Sequence, residues 1–212
     1  MDKFENIKKI VKEKMENASG CHDWDHVERV FNLAMKIAKK EKADLEVIRY
    51  AAMLHDIGRE AQDKSKGKIC HAEEGARLAE ETLTKYKFPQ EFIQKVIHCI
   101  ETHRFRKNNI PESLEAKVLF DADKIDGIGA VGIGRAFLFS GEVGARLHNK
   151  NPDLSVEGVY TREDTAYREF LVTHVKIKER MLTKTGREFA KERHDFMAAF
   201  FERLNKEIDG TI

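Results

Sequence analysis

The stretch Ala51-Ala52-Met53-Leu54-His55-Asp56-Ile57-Gly58 decides how the chain is read. It closes a helical segment that opens at Asp44, a residue of the N-cap type, and it ends on Gly58, a natural residue just past a helix. Ile48, Ala51, Ala52 and His55 recur at three- and four-residue steps and share one face. A His and an Asp at the end of such a face are poor core residues. An ionised Asp at the negative end of a helix dipole gains nothing from that dipole and calls for a cation. Arg59 can supply one as a salt bridge, and a divalent metal can supply another.

Outward from this stretch the same helical spacing continues. Phe4, Ile7, Val11 and Met15 form a stripe over residues 2–16, and Asn17-Ala18-Ser19-Gly20 breaks it. Asp23 is an N-cap for a helix with His26, Val30, Leu33, Ala34 and Ile37 on one face. The polar run 59–68 has no periodicity and reads as an exposed loop, a candidate lid. His71 begins a helix, and Pro89 takes the first position of the next, which carries Phe92, Val96, Cys99, Ile100 and His103 with His98 to the side. After Pro111, Leu114, Val118, Asp121 and Ile125 align. A helix is expected over about 163–183, with His174 in its core stripe, and Thr185-Gly186-Arg187-Glu188 has capping-box spacing for a last helix. The expected fold is all-α, one helical-bundle domain over 1–212, with a metal-binding core at about 20–127 and C-terminal helices at about 160–208 packed on it.

Composition narrows the function classes. The 212 residues carry 38 basic and 37 acidic side chains, a net charge of +1 that gives no global attraction to nucleic acid or anionic membrane. No apolar run reaches the ~18 residues of a membrane span, and the N-terminus lacks a signal-peptide core. Three cysteines without a CxxC pair exclude a zinc knuckle and suit a reducing compartment, so a cytoplasmic protein is expected. Gly127-Ile128-Gly129-Ala130-Val131-Gly132 matches G-x-G-x-x-G, but a helix precedes it where the dinucleotide fingerprint needs a strand.

Asp121 repeats the anomaly of Asp56. A carboxylate in an apolar stripe is costly unless paired or metal-bound. His26 on one helix, the His55-Asp56 pair at the end of a second and Asp121 on a later one all point inward, and together they offer two imidazoles and two carboxylates to one ion. That set suits Mn²⁺ foremost, with Fe²⁺, Co²⁺, Ni²⁺, Zn²⁺ and Mg²⁺ as further candidates. Such an ion would polarise a phosphate oxygen and acidify a water. Asp56, His103 and Glu60 are the catalytic candidates, and Arg104, Arg59, Lys64, Lys66, Lys68 and His71 are candidates to meet a phosphate.

These residues, in this order, resemble the HD-domain metal-dependent phosphohydrolase superfamily, whose signature is H…HD…D. His22-Asp23-Trp24-Asp25-His26, Leu54-His55-Asp56-Ile57-Gly58, His71-Ala72-Glu73-Glu74-Gly75-Ala76, Thr102-His103-Arg104-Phe105, the segment from Asp121-Ala122-Asp123-Lys124-Ile125-Asp126 to Gly129, and Glu192-Arg193-His194-Asp195-Phe196-Met197 are similar to one small bacterial and archaeal subgroup of nucleotide hydrolases. The resemblance implies metal ligands at His26, His55, Asp56 and Asp121, and conversion of nucleoside triphosphate to monophosphate and pyrophosphate. Some HD proteins hold a second metal on two further histidines, for which His71 and His98 are the candidates; the subgroup favours one metal. Glu73 and Glu74 are candidate supporting acids. One departure stands out: subgroup members often continue past the HD pair with an acidic and aromatic segment, where this chain has Arg59-Glu60-Ala61-Gln62. The alternatives are a 5′-nucleotidase-type phosphomonoesterase, a two-metal phosphodiesterase or oxygenase, and a non-catalytic nucleotide sensor. A phosphorylated small molecule is the expected partner of a monomer or homodimer, with no nucleic acid polymer and no membrane.

Overall fold

A computed structural model describes residues 2–15, 21–65, 67–104, 109–155 and 160–212. The predicted break at 17–20, the candidate cation Lys66 and the motif residue Phe105 lie outside the described residues. Among the described residues there are ten α-helices, two short 3-10 turns and no strand. The chain divides into two compact units, residues 1–123 and 124–212.

In the first unit, α1 (Lys3–Met15), α2 (Trp24–Glu41) and α3 (Leu45–Leu54) follow the expected stripes. Phe4, Ile7, Val11 and Met15 are all buried, and Phe4 meets Tyr50 edge-on at 5.4 Å between ring centroids. Asp23 caps α2 by accepting from the His26 backbone N–H at 3.0 Å, and Asp44 caps α3 by accepting from those of Glu46 and Val47. Helix α3 stops at Leu54, before the predicted end at Gly58, and a turn carries His55-Asp56-Ile57-Gly58. Gly58 does not close α3. It precedes α4 (Arg59–Lys64) with φ at −88°, and its role is close approach: a Cβ there would lie 2.5 Å from Gly75 N and His71 O.

The predicted loop 59–68 is therefore partly helical, and Arg59 is buried at its start. Its periodicity is hidden because one turn and a half of helix is too short to repeat a stripe. Helices α5 (His71–Lys85) and α6 (Gln90–Thr102) pack on each other, and α6 also packs on α3. Pro89 is the cap of α6, one residue before the position predicted for it. Helix α7 (Leu114–Asp126) carries the unit boundary.

In the second unit, α8 (Gly129–Glu142) packs on α9 (Ala166–Val172) and on α10 (Lys184–Ile208). A Cβ on Gly132 would overlap the Gly127 carbonyl, so the glycine motif serves a tight turn into a helix. The helix predicted over 163–183 is broken after Val172 into two 3-10 turns, at His174–Lys176 and Lys178–Arg180. Thr183, not Thr185, caps α10, accepting from Gly186 N–H at 2.9 Å. Phe170 stacks on Phe201 at 4.8 Å in this unit's core. No described helix is long and apolar enough to cross a membrane.

Candidate metal centre

The first unit brings helix ends to one place. His26 lies in the first turn of α2, His55 caps the end of α3, Asp56 follows it, Arg59 opens α4, His71 opens α5, His103 caps the end of α6, and Asp123 rides on α7. Helix C-termini leave carbonyls without intrahelical partners. Two of these carbonyls orient the histidines: His55 Nδ1 donates to Ala52 O at 2.8 Å, and His103 Nδ1 donates to Ile100 O at 2.5 Å. His71 Nδ1 donates to Gln62 Oε1 at 2.9 Å. In all three rings the proton is held on Nδ1, and Nε2 presents a lone pair, the arrangement of a metal-ligating histidine.

Those lone pairs face one another. His55 Nε2 lies 3.3 Å from His26 Nε2, and His71 Nε2 lies 3.1 Å from His103 Nε2. Two imidazoles bound at ~2.1 Å to one ion, near right angles, sit about 3 Å apart. Asp56 stands between the pairs. Its Oδ2 is 3.7 Å from His26 Nε2 and 3.9 Å from His55 Nε2, while its Oδ1 is 3.2 Å from His71 Nε2 and 3.7 Å from His103 Nε2. Burial pushes the His55 imidazole down to about 4 and the His71 imidazole down to about 2, which keeps both neutral and able to ligate. Burial by itself would raise the Asp56 carboxyl, but the groups around it, with the Arg59 guanidinium on both oxygens, outweigh that and hold it well below the usual range.

Three groups of side chains have ligand atoms close enough to share an ion: His22 with His26 and Asp56; His26 with His55 and Asp123; Asp56 with His71 and His103. The residues present therefore fit a divalent metal. Of the four expected ligands, His26, His55 and Asp56 come together. Asp121 is fully buried but belongs to none of these groups; Asp123 takes that place, 3.6 Å from His26 Nε2. Residues two apart on a helix diverge by about 200°, so one face cannot hold both carboxylates. The apolar stripe pointed to Asp121 because the stripe marks the core, and Asp123, two residues on, lies off that stripe.

Other expected residues divide in the same way. His103 and Arg59 are at the centre, and Arg104 is tied to it, its Nη1 donating to Gln62 Oε1 at 2.9 Å. Gln62, which joins Arg104 to His71, has no signal in the sequence pattern. Nor was His22, 3.6 Å from Asp56, chosen from the sequence, although it opens the same motif as His26. Glu60 is exposed and paired with Lys64 on the outer side of α4, and Lys68 is exposed. His98 is not the partner of His71: its Nε2 accepts from Glu112 N–H at 3.3 Å, and His103 stands against His71 instead.

Asp56 is also gripped by Arg59. Arg59 Nη2 donates to Oδ1 at 3.1 Å and to Oδ2 at 3.0 Å, and Nε reaches Oδ2 at 3.3 Å. The salt bridge and the ligand cluster thus occur on the same carboxylate.

Known proteins share this arrangement of chain. The family model described as HD domain matches residues 23–128. The protein YpgQ of Bacillus subtilis is 36% identical over 211 residues, covering 97% of this chain and 94% of that protein. The crystal structure of B. subtilis YpgQ in complex with ADP superposes with a TM-score of 0.74 at 31% identity, covering 97% of this chain and 94% of that one. A structure from an uncultured Thermotogales bacterium, described as a predicted HD superfamily hydrolase, gives a TM-score of 0.70 at 31% identity over 96% of this chain and 91% of that one. With the paired imidazoles and the shared Asp56 carboxylate in place, this chain belongs to the HD domain family.

Proposed function

We propose that this chain is a metal-dependent phosphohydrolase acting on nucleotides, releasing pyrophosphate from a nucleoside triphosphate to leave the monophosphate. The ion, Mn²⁺ foremost, is held by His26, His55, Asp56 and Asp123. The observation that carries this reading is the pair of Nε2 atoms facing each other at 3.3 Å, with carboxylates of Asp56 and Asp123 beside them. When bound, a divalent ion there supplies Lewis acidity toward a phosphate oxygen and toward water. The chain's own residues do the rest. Arg59 and Arg104 bring fixed positive charge to a polyphosphate. His103, locked by Ile100 O, keeps Nε2 free to hold or pass a proton at the phosphate. ADP bound to the similar YpgQ supports a nucleotide as the substrate class.

The test is a hydrolysis screen over nucleotides with Mn²⁺, Mg²⁺ and Co²⁺. Pyrophosphate release from a triphosphate is expected. Orthophosphate from monophosphates alone would replace this reading with a phosphomonoesterase, and no metal-dependent release would overturn it. A two-metal enzyme is the second reading, favoured by the Asp56, His71 and His103 group.

A further inference from the structure

The second ligand group has an occupant of its own. Arg59 Nη2 lies 3.1 Å and 3.0 Å from the two Asp56 oxygens, 3.4 Å from His71 Nε2 and 3.3 Å from His22 Nδ1. One cationic nitrogen thus stands among two carboxylate oxygens and two imidazole nitrogens, the donor types that a divalent ion would gather. The residue is buried, at 8% exposure, so this is not a surface ion pair formed in passing. The His71 ring is locked with its Nε2 lone pair inward by Gln62. Arg59 is also the first residue of α4, directly after the Gly58 contact with α5, and its backbone N–H donates to Asp56 O at 2.9 Å. The guanidinium is therefore delivered to this place by the backbone as well as by its side chain.

We infer that Arg59 stands in for a second metal ion at the Asp56, His71 and His103 group, so that the site pairs one exchangeable ion with one tethered cation. This rests on the one-ion reading proposed above. Charge supports it. The carboxylates of the three ligand groups are those of Asp56 and Asp123, and they can offset one divalent ion. A second divalent ion next to a buried guanidinium would add positive charge with no carboxylate in those groups to offset it, at a large desolvation cost. Distance supports it as well: an ion at ~2.1 Å from Asp56 Oδ1 and His71 Nε2 would fall close to the guanidinium that already donates to both atoms. A tethered cation also differs from a metal in a useful way. It meets a polyphosphate with fixed charge and planar donors, and a chelator cannot remove it.

Metal stoichiometry tests this without any measurement of turnover. The purified protein is stripped, reloaded with Mn²⁺ by equilibrium dialysis and assayed for bound metal, with electron paramagnetic resonance to detect coupled Mn²⁺ pairs. Wild type is expected to hold about one tight Mn²⁺ per chain, and Arg59→Ala about twofold more, with a spin-coupled signal. Arg59→Gln keeps part of the stem and a neutral polar end and carries the same expectation should the alanine variant fail to fold. Arg59→Lys retains the charge and is expected to stay at the wild-type stoichiometry. Wild type already holding a coupled pair would overturn the inference, as would both neutral variants staying at one ion. Wild type binding no metal would sink the proposed metal-dependent function and this inference together, whereas the two preceding outcomes sink the inference alone.

Discussion

Both units bury charge, but they do so in opposite ways. In the second unit each buried charge has its complement. Arg168 Nη1 donates to Asp164 Oδ1 at 2.8 Å, its Nε donates to Asp153 O at 2.9 Å, and Arg135 Nη1 donates to Asp126 Oδ2 at 2.6 Å. In the first unit, buried acceptors crowd together: four imidazole nitrogens and a carboxylate meet within hydrogen-bonding range or just beyond it. A matched pair needs nothing more and serves the fold. A crowd of lone pairs is costly to bury without a cation or a proton among them, which is the situation of a candidate binding site.

The largest effect expected from this contrast is on Asp56, which both imidazole pairs share. Asp56→Asn keeps the shape but removes the negative charge and one acceptor oxygen, and metal-dependent turnover should fall by at least ~10³-fold, on the order of 4 kcal/mol, with the helical circular dichroism retained. Full turnover in that variant would sink the proposed mechanism. Arg168→Met should give the opposite pattern. It leaves Asp164 buried without its partner and should cost about 3–5 kcal/mol in denaturant unfolding, while Mn²⁺ affinity stays at the wild-type value. A loss of metal binding in that variant would erase the distinction between the two kinds of burial.

The buried His174 sharpens the comparison through pH. Burial, aided by Arg135, pushes it down to about 4, below the ordinary value of 6.5. It is neutral in the folded state, and the unfolded chain takes up the proton first. Its contribution is intact above pH 6.5, is lost as pH falls toward 4, and totals on the order of 3 kcal/mol. His174→Phe should remove that part of the acid destabilisation, read as a flatter dependence of unfolding free energy between pH 6.5 and 4. An unchanged slope would show that the imidazole is not the group responsible. The smallest effect separates two neighbours on α7. Asp123→Asn should weaken Mn²⁺ binding by about 10–100-fold, and Asp121→Asn by less than about tenfold. The reverse order would return the ligand to Asp121.

Much of the site was legible in the sequence because anomalies of residue type are local. His26, His55, Asp56, His71 and His103 each fall at a helix end or on an inward stripe, and their positions could be read from spacing. Asp123 could not be read in this way. It lies off the stripe that marks the core, and only the packing of α7 decides which of two nearby carboxylates meets His26. Glu60 lies apart from the cluster for the converse reason: adjacency in sequence to Arg59 places it on the outer side of a short helix, where it pairs with Lys64. His98 and His103 both sit near the end of α6, yet only His103 reaches an orphan carbonyl that turns its ring inward.

The sequence by itself determined that the chain is helical, where most helices begin, and that a His-Asp pair closes one of them, because three- and four-residue periodicity and capping chemistry are properties of contiguous residues. The tertiary structure decided which imidazole faces which, that Asp123 comes within 3.6 Å of His26, and that Arg59 turns back onto Asp56. These depend on the directions in which helix ends meet, and no local propensity encodes the angle at which one helix end approaches another.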